Sequence, residues 1–206
     1  MSGGFFEWAR AGALLDGAAA GAAAAGVFLA ALLTGVAVKV LDDFLDAAPE
    51  DRAAWAFPYG AAALAVAGAL APEVAAVLFL ASYAVGMFGF PGRRMPSGLP
   101  AWVESCLAVG LGALLAGWGL TVVALAGVTA LQCWDDVMDC REDRLVGQAN
   151  LAARFGRVEI GTAGAALAVA ALLGDVTLGG SVIASAGLIW AAERMIKGRR
   201  RAGVRS

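Results

Sequence analysis

The stretch LQCWDDVMDCREDRLVGQANLAARFG, residues 131–156, sets an apolar run directly against a dense group of carboxylates. Four aspartates, Asp135, Asp136, Asp139 and Asp143, fall within nine residues of one another. Placing a single carboxylate in the hydrocarbon of a membrane costs several kcal/mol. These four side chains must therefore be solvated, paired with cations, or part of a functional site.

The rest of the chain has the composition of an integral membrane protein. Of its 206 residues, 61% are hydrophobic and 16% are charged, whereas soluble domains have about 45–50% apolar and about 25% charged residues. Apolar segments near the length of a membrane span predict an all-α, multi-pass helical bundle around a central apolar cavity. The seven predicted spans are 17–40, 54–71, 73–90, 101–118, 119–138, 159–175 and 178–196.

These spans form one predicted domain, 1–206, with no linker between parts. A short N-terminal segment, 1–10, precedes the spans, and an Arg-rich tail, 198–206, is predicted to be disordered. Tight turns are expected at 71–73, 117–119 and 174–175, where Gly, Pro or a charged residue interrupts the apolar sequence.

The composition also excludes several kinds of site. A net charge of −2 gives no basic field for nucleic acid. The chain has no histidine, so a bound metal ion would be held by oxygen ligands, which favours magnesium, manganese or calcium. The three cysteines lack the spacing of a zinc site and are expected to be small apolar residues of the helices.

The distribution of positive charge predicts the orientation. With seven spans, 14 of the 15 Lys and Arg residues fall on the side of the long loops and the C-terminus, and only Arg10 falls on the other side. The positive-inside rule makes the basic side cytoplasmic. We therefore expect a protein of a prokaryotic-type plasma membrane, with its N-terminus outside and its C-terminus and active site facing the cytoplasm.

Two acidic clusters lie on that cytoplasmic side. In KVLDDFLDAAPE, 39–50, a continuing helix would place Lys39, Asp43, Asp46 and Glu50 on one face. In the second cluster Asp136, Asp139 and Asp143 share a face with Gln132. Magnesium binds through one or two carboxylates together with substrate phosphates, so the two stripes predict a magnesium–diphosphate site. The simpler alternative is that both are solvated helix ends.

The clusters resemble the two aspartate motifs, NDxxDxxxD and DxxDxxxD, of the UbiA-type intramembrane prenyltransferase superfamily. The first is matched by DDFLDAAPE, 42–50, with Asp and Glu where the family has its first Asn and last Asp. The second is matched by DVMDCRED, 136–143, and continues into Gly147 and NLAARFG, 150–156, as in the family. By this match the chain corresponds to the family's middle helices, without its usual first and last helix.

The resemblance implies a mechanism. Magnesium and a prenyl diphosphate bind at the cytoplasmic mouth, the prenyl chain lies in an apolar tunnel, and an aromatic or lipid acceptor attacks the allylic cation. The implied catalytic residues are Asp43, Asp46, Asp136, Asp139 and Asp143. The same five together with Asp42 are the predicted Mg²⁺ ligands. The predicted substrate contacts are Lys39, Tyr83, Arg93, Arg94 and Asn150.

Other functions stay open. A UbiA-type terpene cyclase would use the same metal site without an external acceptor. A CDP-alcohol phosphotransferase is disfavoured because its DGxxAR core is absent. A degenerate membrane protein or a cation transporter would need no prenyl substrate, although a transporter usually has ionisable groups near mid-membrane. Membrane lipids are expected partners, nucleic acid is not, and a homo-oligomer is left open.

Overall fold

The computed structural model describes residues 3–46, 56–87, 92–147 and 150–203, and every element within them is an α-helix. The helices are α1 (Gly3–Asp46), α2 (Ala56–Leu70), α3 (Pro72–Met87), α4 (Ala101–Val146), α5 (Leu151–Phe155), α6 (Arg157–Gly174) and α7 (Val176–Gly203). Outside them an isolated β-bridge joins Arg94 and Pro100 in the loop before α4. The predicted all-α fold is confirmed.

Four helical segments are long and apolar enough to cross a membrane. They are Ala19–Phe44, Ala101–Leu145, Arg157–Gly174 and Val176–Ile196, and two shorter helices, α2 and α3, are also apolar. Large apolar side chains lie on the outer surface, among them Leu114, 80% exposed, and Leu173, 83% exposed. Soluble monomers rarely expose apolar patches of such extent, so the surface agrees with insertion in a membrane.

The turns form where the sequence predicts them. Helix α2 ends before Ala71, and α3 begins with Pro72, the position at which proline fits a helix start. Helix α4 is interrupted at Gly117, whose φ of 80° and ψ of 159° are not helical and are readily adopted only by glycine. Between α6 and α7, Asp175 caps the new helix by accepting hydrogen bonds from Thr177 N and Leu178 N, both 2.9 Å.

Three helices extend beyond their predicted apolar spans. Helix α1 begins at Gly3, within the predicted N-terminal segment, and α4 continues to Val146 through the second acidic cluster. Helix α7 runs to Gly203, so residues 198–203, which were predicted to be disordered, are helical. Hydropathy marks only the part of a helix in the membrane, whereas each added residue of a formed helix gains a hydrogen bond without a new nucleation step.

Small residues make up most of the core. The buried cluster joins α1, α2, α3, α4, α6 and α7 and is formed largely by Ala, Val and Leu, with Leu178 and Val77 almost fully buried. The most extensive contacts are those between α3 and α4, α4 and α6, and α1 and α2. Small side chains let helix backbones approach closely, and the resulting van der Waals packing contributes to helix association in lipid.

Candidate functional site

A pocket of about 240 Å³ lies between α1, α3, α4 and α7. Much of its wall is aliphatic, with Val38 from α1, Leu78 from α3, Leu131 from α4 and Val182 from α7. Along α1, the hydroxyl residue Thr34 precedes the charged residues Lys39 and Asp42 of the pocket wall. The arrangement has the usual form of a small-molecule site, an apolar concavity with a few polar groups.

Charged residues of both acidic clusters line this pocket. Lys39 and Asp42 come from α1, and Gln132 and Asp135 come from α4. Asp135 is half-buried and lies within electrostatic range of Lys39, of Asp139 and of Glu193 on α7. The structure thus brings the end of α1 and the second cluster to one place, which we call the charged mouth (Lys39, Asp42, Gln132 and Asp135).

Lys39 is the cation of the charged mouth, and carboxylates surround it. Its Nζ lies 2.9 Å from Asp43 Oδ1, one turn further along α1. Asp42 and Glu193 also lie within electrostatic range of this ammonium. Among the described residues, three carboxylates thus lie within electrostatic range of this one ammonium.

The second aspartate motif uses two of its carboxylates for a different purpose. Asp136 is buried, and its Oδ1 accepts a hydrogen bond from Gln132 Nε2 (3.0 Å) while its Oδ2 accepts one from Leu151 N (2.8 Å). Asn150 Nδ2 donates to the Asp136 carbonyl (2.8 Å) and to Asp143 Oδ2 (2.7 Å). Asp136 and Asp143 therefore hold the start of α5 against the end of α4.

Asn150 is the centre of this arrangement. Besides its two donated hydrogen bonds, its Oδ1 accepts one from Ala153 N at 2.8 Å and so caps α5. Both amide hydrogens and the carbonyl oxygen are therefore engaged within the protein. These contacts give Asn150 a structural role at the start of α5, and its role as a substrate contact stays a prediction.

The remaining predicted residues lie in several places. Asp43 is exposed and paired with Lys39, Asp139 is exposed on α4, and Asp46 is the last residue of α1, with its side chain outside the described part. Arg93 and Arg94 are exposed in the loop before α4 and do not belong to the described lining of the pocket. Their role as substrate contacts stays a prediction.

Tyr83 of α3 contacts Glu104 of α4, which in turn contacts the loop before α4. Its hydroxyl donates to Glu104 Oε2, and Ser97 Oγ donates to Glu104 Oε1. This carboxylate of α4 thus joins α3 to the loop before α4. Tyr83 lies beside Ser82, which lines the pocket, but it is not itself part of the described lining.

Three residues that line the pocket were not among the predicted site residues: Thr34, Asp135 and Ser185. Asp135 lies three residues after Gln132, and Thr34 lies eight residues before Asp42, so both pairs share a helical face. Ser185 lies on α7, where no acidic motif drew attention to it. The sequence contains a signal for Thr34, which is a hydroxyl residue on the same helical face as Asp42 in an otherwise apolar segment.

The described residues contain no group of three or more Cys, Asp or Glu side chains arranged to hold a metal ion by themselves. Asp46 and Glu50, two of the predicted acidic residues, have side chains outside that part. The carboxylates that line the pocket are Asp42 and Asp135.

Comparison with known proteins gives no match. None of the protein-family models matches this sequence, and no curated protein or solved structure matches it significantly.

Proposed function

We propose that the protein is a magnesium-dependent intramembrane prenyltransferase, which transfers a polyprenyl group from a prenyl diphosphate to an aromatic or lipid acceptor at the cytoplasmic face. One observation carries the proposal. Asp42 of the first cluster and Asp135 of the second line the same pocket, and much of the rest of its wall is aliphatic. A diphosphate with an apolar tail has this same division between a charged and an apolar part.

The chemistry of the charged mouth fits magnesium. Magnesium takes oxygen ligands and is commonly held by one or two carboxylates, with substrate phosphates and waters completing its coordination. Asp42 and Asp135 would supply those carboxylates, and Asp139 and Glu193 add negative charge within range of Asp135. Bound magnesium neutralises a diphosphate and makes it a better leaving group.

The protein's own side chains have defined parts in the proposed reaction. Lys39 donates charge-assisted hydrogen bonds to diphosphate oxygens at the mouth. The aliphatic wall of Val38, Leu78, Leu131 and Val182 holds the prenyl chain and excludes the water that would hydrolyse an allylic cation. Asp136, Asp143 and Asn150 hold α5 and so position the end of α4 that carries Asp135.

The proposal includes seven membrane crossings. Helix α4 has an arm on each side of Gly117, and these two arms join α1, α2, α3, α6 and α7 as apolar helical segments. The positive-inside rule then supports an outside N-terminus and a cytoplasmic charged mouth. The pocket would be the cytoplasmic part of the predicted central cavity.

The test is release of diphosphate from farnesyl and geranylgeranyl diphosphate by the purified protein in detergent, with and without magnesium. We expect magnesium-dependent release that falls at least tenfold in Asp42→Asn and in Asp135→Asn. Asp175→Asn is the matched control, because Asp175 caps α7 away from the pocket and asparagine caps a helix equally well.

Product masses then separate transfer to an acceptor from cyclisation of the prenyl chain. Absence of magnesium-dependent release and of magnesium-dependent binding of either diphosphate would contradict the proposed function. Equal release by the wild type and both mouth variants would contradict the proposed site.

A further inference from the structure

Two buried hydroxyls of the pocket are not explained by the charged mouth. Thr34 of α1 and Ser185 of α7 line the pocket, and their residues are 1% and 3% exposed. Neither hydroxyl oxygen has a hydrogen-bond partner within the part of the chain that the structure describes. Most buried side-chain polar atoms have a partner, so each exception requires an explanation.

Comparable hydroxyls elsewhere in the helices are paired. Thr121 Oγ1 donates to the carbonyl of Gly117 at 2.9 Å, one turn back along α4. Ser105 Oγ lies 3.1 Å from the carbonyls of both Ala101 and Ala84. The helical environment therefore allows backbone partners, and what distinguishes Thr34 and Ser185 is their place on the pocket wall.

The two hydroxyl residues lie where α1 and α7 are in contact. Gly35, next to Thr34, lies close to α7, since a Cβ there would lie 2.9 Å from Ile189 Cδ1, one turn beyond Ser185. Thr34 precedes Lys39 by five residues and Asp42 by eight, or about 7.5 Å and about 12 Å along the helix axis. The Thr34 hydroxyl is thus separated along α1 from the charges of the mouth.

We propose that Thr34 and Ser185 form a binding subsite for an uncharged oxygen, a hydroxyl or carbonyl group, of an amphipathic ligand held in this pocket. A hydroxyl side chain both donates and accepts, so each suits a neutral oxygen. The aliphatic residues around them fit the apolar remainder of the ligand. Identifying this ligand as the acceptor of the prenyl group rests on the proposed function, whereas the binding itself does not.

Binding of two matched probes, 1-naphthol and naphthalene, tests the subsite. Titrations of purified protein in detergent, with partition into empty micelles subtracted, give the affinity of each probe. We expect the wild type to bind 1-naphthol between about twofold and tenfold more tightly for each hydrogen bond formed. This preference should be lost in the double variant that combines Thr34→Val with Ser185→Ala. It should be kept in Thr34→Ser, which retains the hydroxyl.

Thr121→Val is the control for a general effect of removing a helical hydroxyl, and it should keep the preference for 1-naphthol. Equal binding of the two probes by the wild type, or a preference that survives in the double variant, would overturn the inference. If the double variant does not fold, Ser185→Ala alone should at least halve the preference, and an unchanged preference there would likewise overturn it.

The inference and the proposed function can fail separately. Magnesium-dependent diphosphate release without preference for 1-naphthol would overturn the hydroxyl subsite and leave the proposed function standing. A preference that depends on Thr34 and Ser185, without diphosphate release under any condition, would support the subsite and contradict the proposed function.

Discussion

Adjacent residues of the second acidic cluster have different surroundings. Asp135 lines the pocket, whereas Asp136 accepts hydrogen bonds from Gln132 and from the backbone of Leu151. Successive residues of a helix are rotated by about 100°, so two neighbouring carboxylates cannot serve the same ligand equally well. The second acidic cluster therefore combines a residue that lines the pocket with residues that hold the chain in place.

The unpartnered hydroxyl of Thr34 leads to a prediction about stability. Thr34→Val removes a buried group without a described partner, and we expect the free energy of unfolding to stay the same or to rise by about 1 kcal/mol. Thr121→Val removes a hydroxyl that donates to Gly117 O, and it should lower the free energy of unfolding by about 1 kcal/mol. Thermal unfolding in detergent measures both, and a larger loss in Thr34→Val would contradict the assignment.

Asn150 should contribute to stability through the contacts around α5. Asn150→Ala removes the helix cap and the hydrogen bonds to the Asp136 carbonyl and to Asp143. We expect a loss of about 2.5–4 kcal/mol, since a cap contributes about 1 kcal/mol and a hydrogen bond to a charged group about 1.5–3 kcal/mol. Chemical denaturation in a fixed detergent measures the change.

The matched control for Asn150 is Leu151→Ala, which keeps the backbone N–H that donates to Asp136 Oδ2 and truncates a side chain that is 40% exposed. It should cost clearly less than Asn150→Ala. Equal losses in the two variants would indicate that packing, not the hydrogen bonds of Asn150, holds α5.

At the scale of helices, the boundaries set by local chemistry were predictable from the sequence. Pro72, Gly117 and Asp175 each mark a turn or break for a reason that acts within one helical turn. The full lengths of α1, α4 and α7 were not predictable from hydropathy, since their ends pass into polar residues. Hydropathy indicates whether a segment lies in lipid or in water. A helix that has formed can continue from the membrane into water, because each added residue gains a hydrogen bond without a new nucleation step.

The break at Gly117 provides the test at this scale. Its φ of 80° is strained for any residue with a Cβ, although no atom lies within 4 Å of where that Cβ would be. Gly117→Ala should therefore destabilise the protein by about 1–3 kcal/mol through backbone strain alone. Gly119→Ala, also without a neighbour within 4 Å, should be neutral or stabilise by up to about 1 kcal/mol. Thermal unfolding of the two variants compares them, and equal stability would contradict the break.

At the scale of the whole molecule, the sequence predicted that the two acidic clusters would meet but not which members would do so. The predicted metal ligands included Asp42, Asp43 and Asp136, and of these Asp42 lines the pocket, together with Asp135, which was not predicted. A shift of one residue decides which side chain faces a neighbouring helix, and the rotation of each helix is set by packing across the bundle. No feature of a single helix carries that information.

Labelling of introduced cysteines tests the arrangement across the membrane. Cys106, Cys133 and Cys140 are first replaced by alanine. Val176→Cys then places a thiol at the start of α7, next to the α6–α7 turn, and Pro96→Cys places one in the loop before α4. An impermeant maleimide applied to intact cells should label Val176→Cys, and Pro96→Cys should need permeabilisation. The reverse pattern, or labelling of both in intact cells, would contradict the proposed orientation.

The central claim is that carboxylates of the two clusters share one metal–diphosphate site at the mouth of the pocket. The most direct test measures Mn²⁺ binding by electron paramagnetic resonance, with Mn²⁺ as a paramagnetic substitute for magnesium. The measurement is made with and without a non-hydrolysable thio-analogue of geranylgeranyl diphosphate. The account predicts that the analogue increases Mn²⁺ binding by the wild type, and that Asp42→Asn and Asp135→Asn each abolish the increase while Asp175→Asn keeps it. Mn²⁺ binding that does not respond to the analogue, or a response that survives in both mouth variants, would contradict the claim.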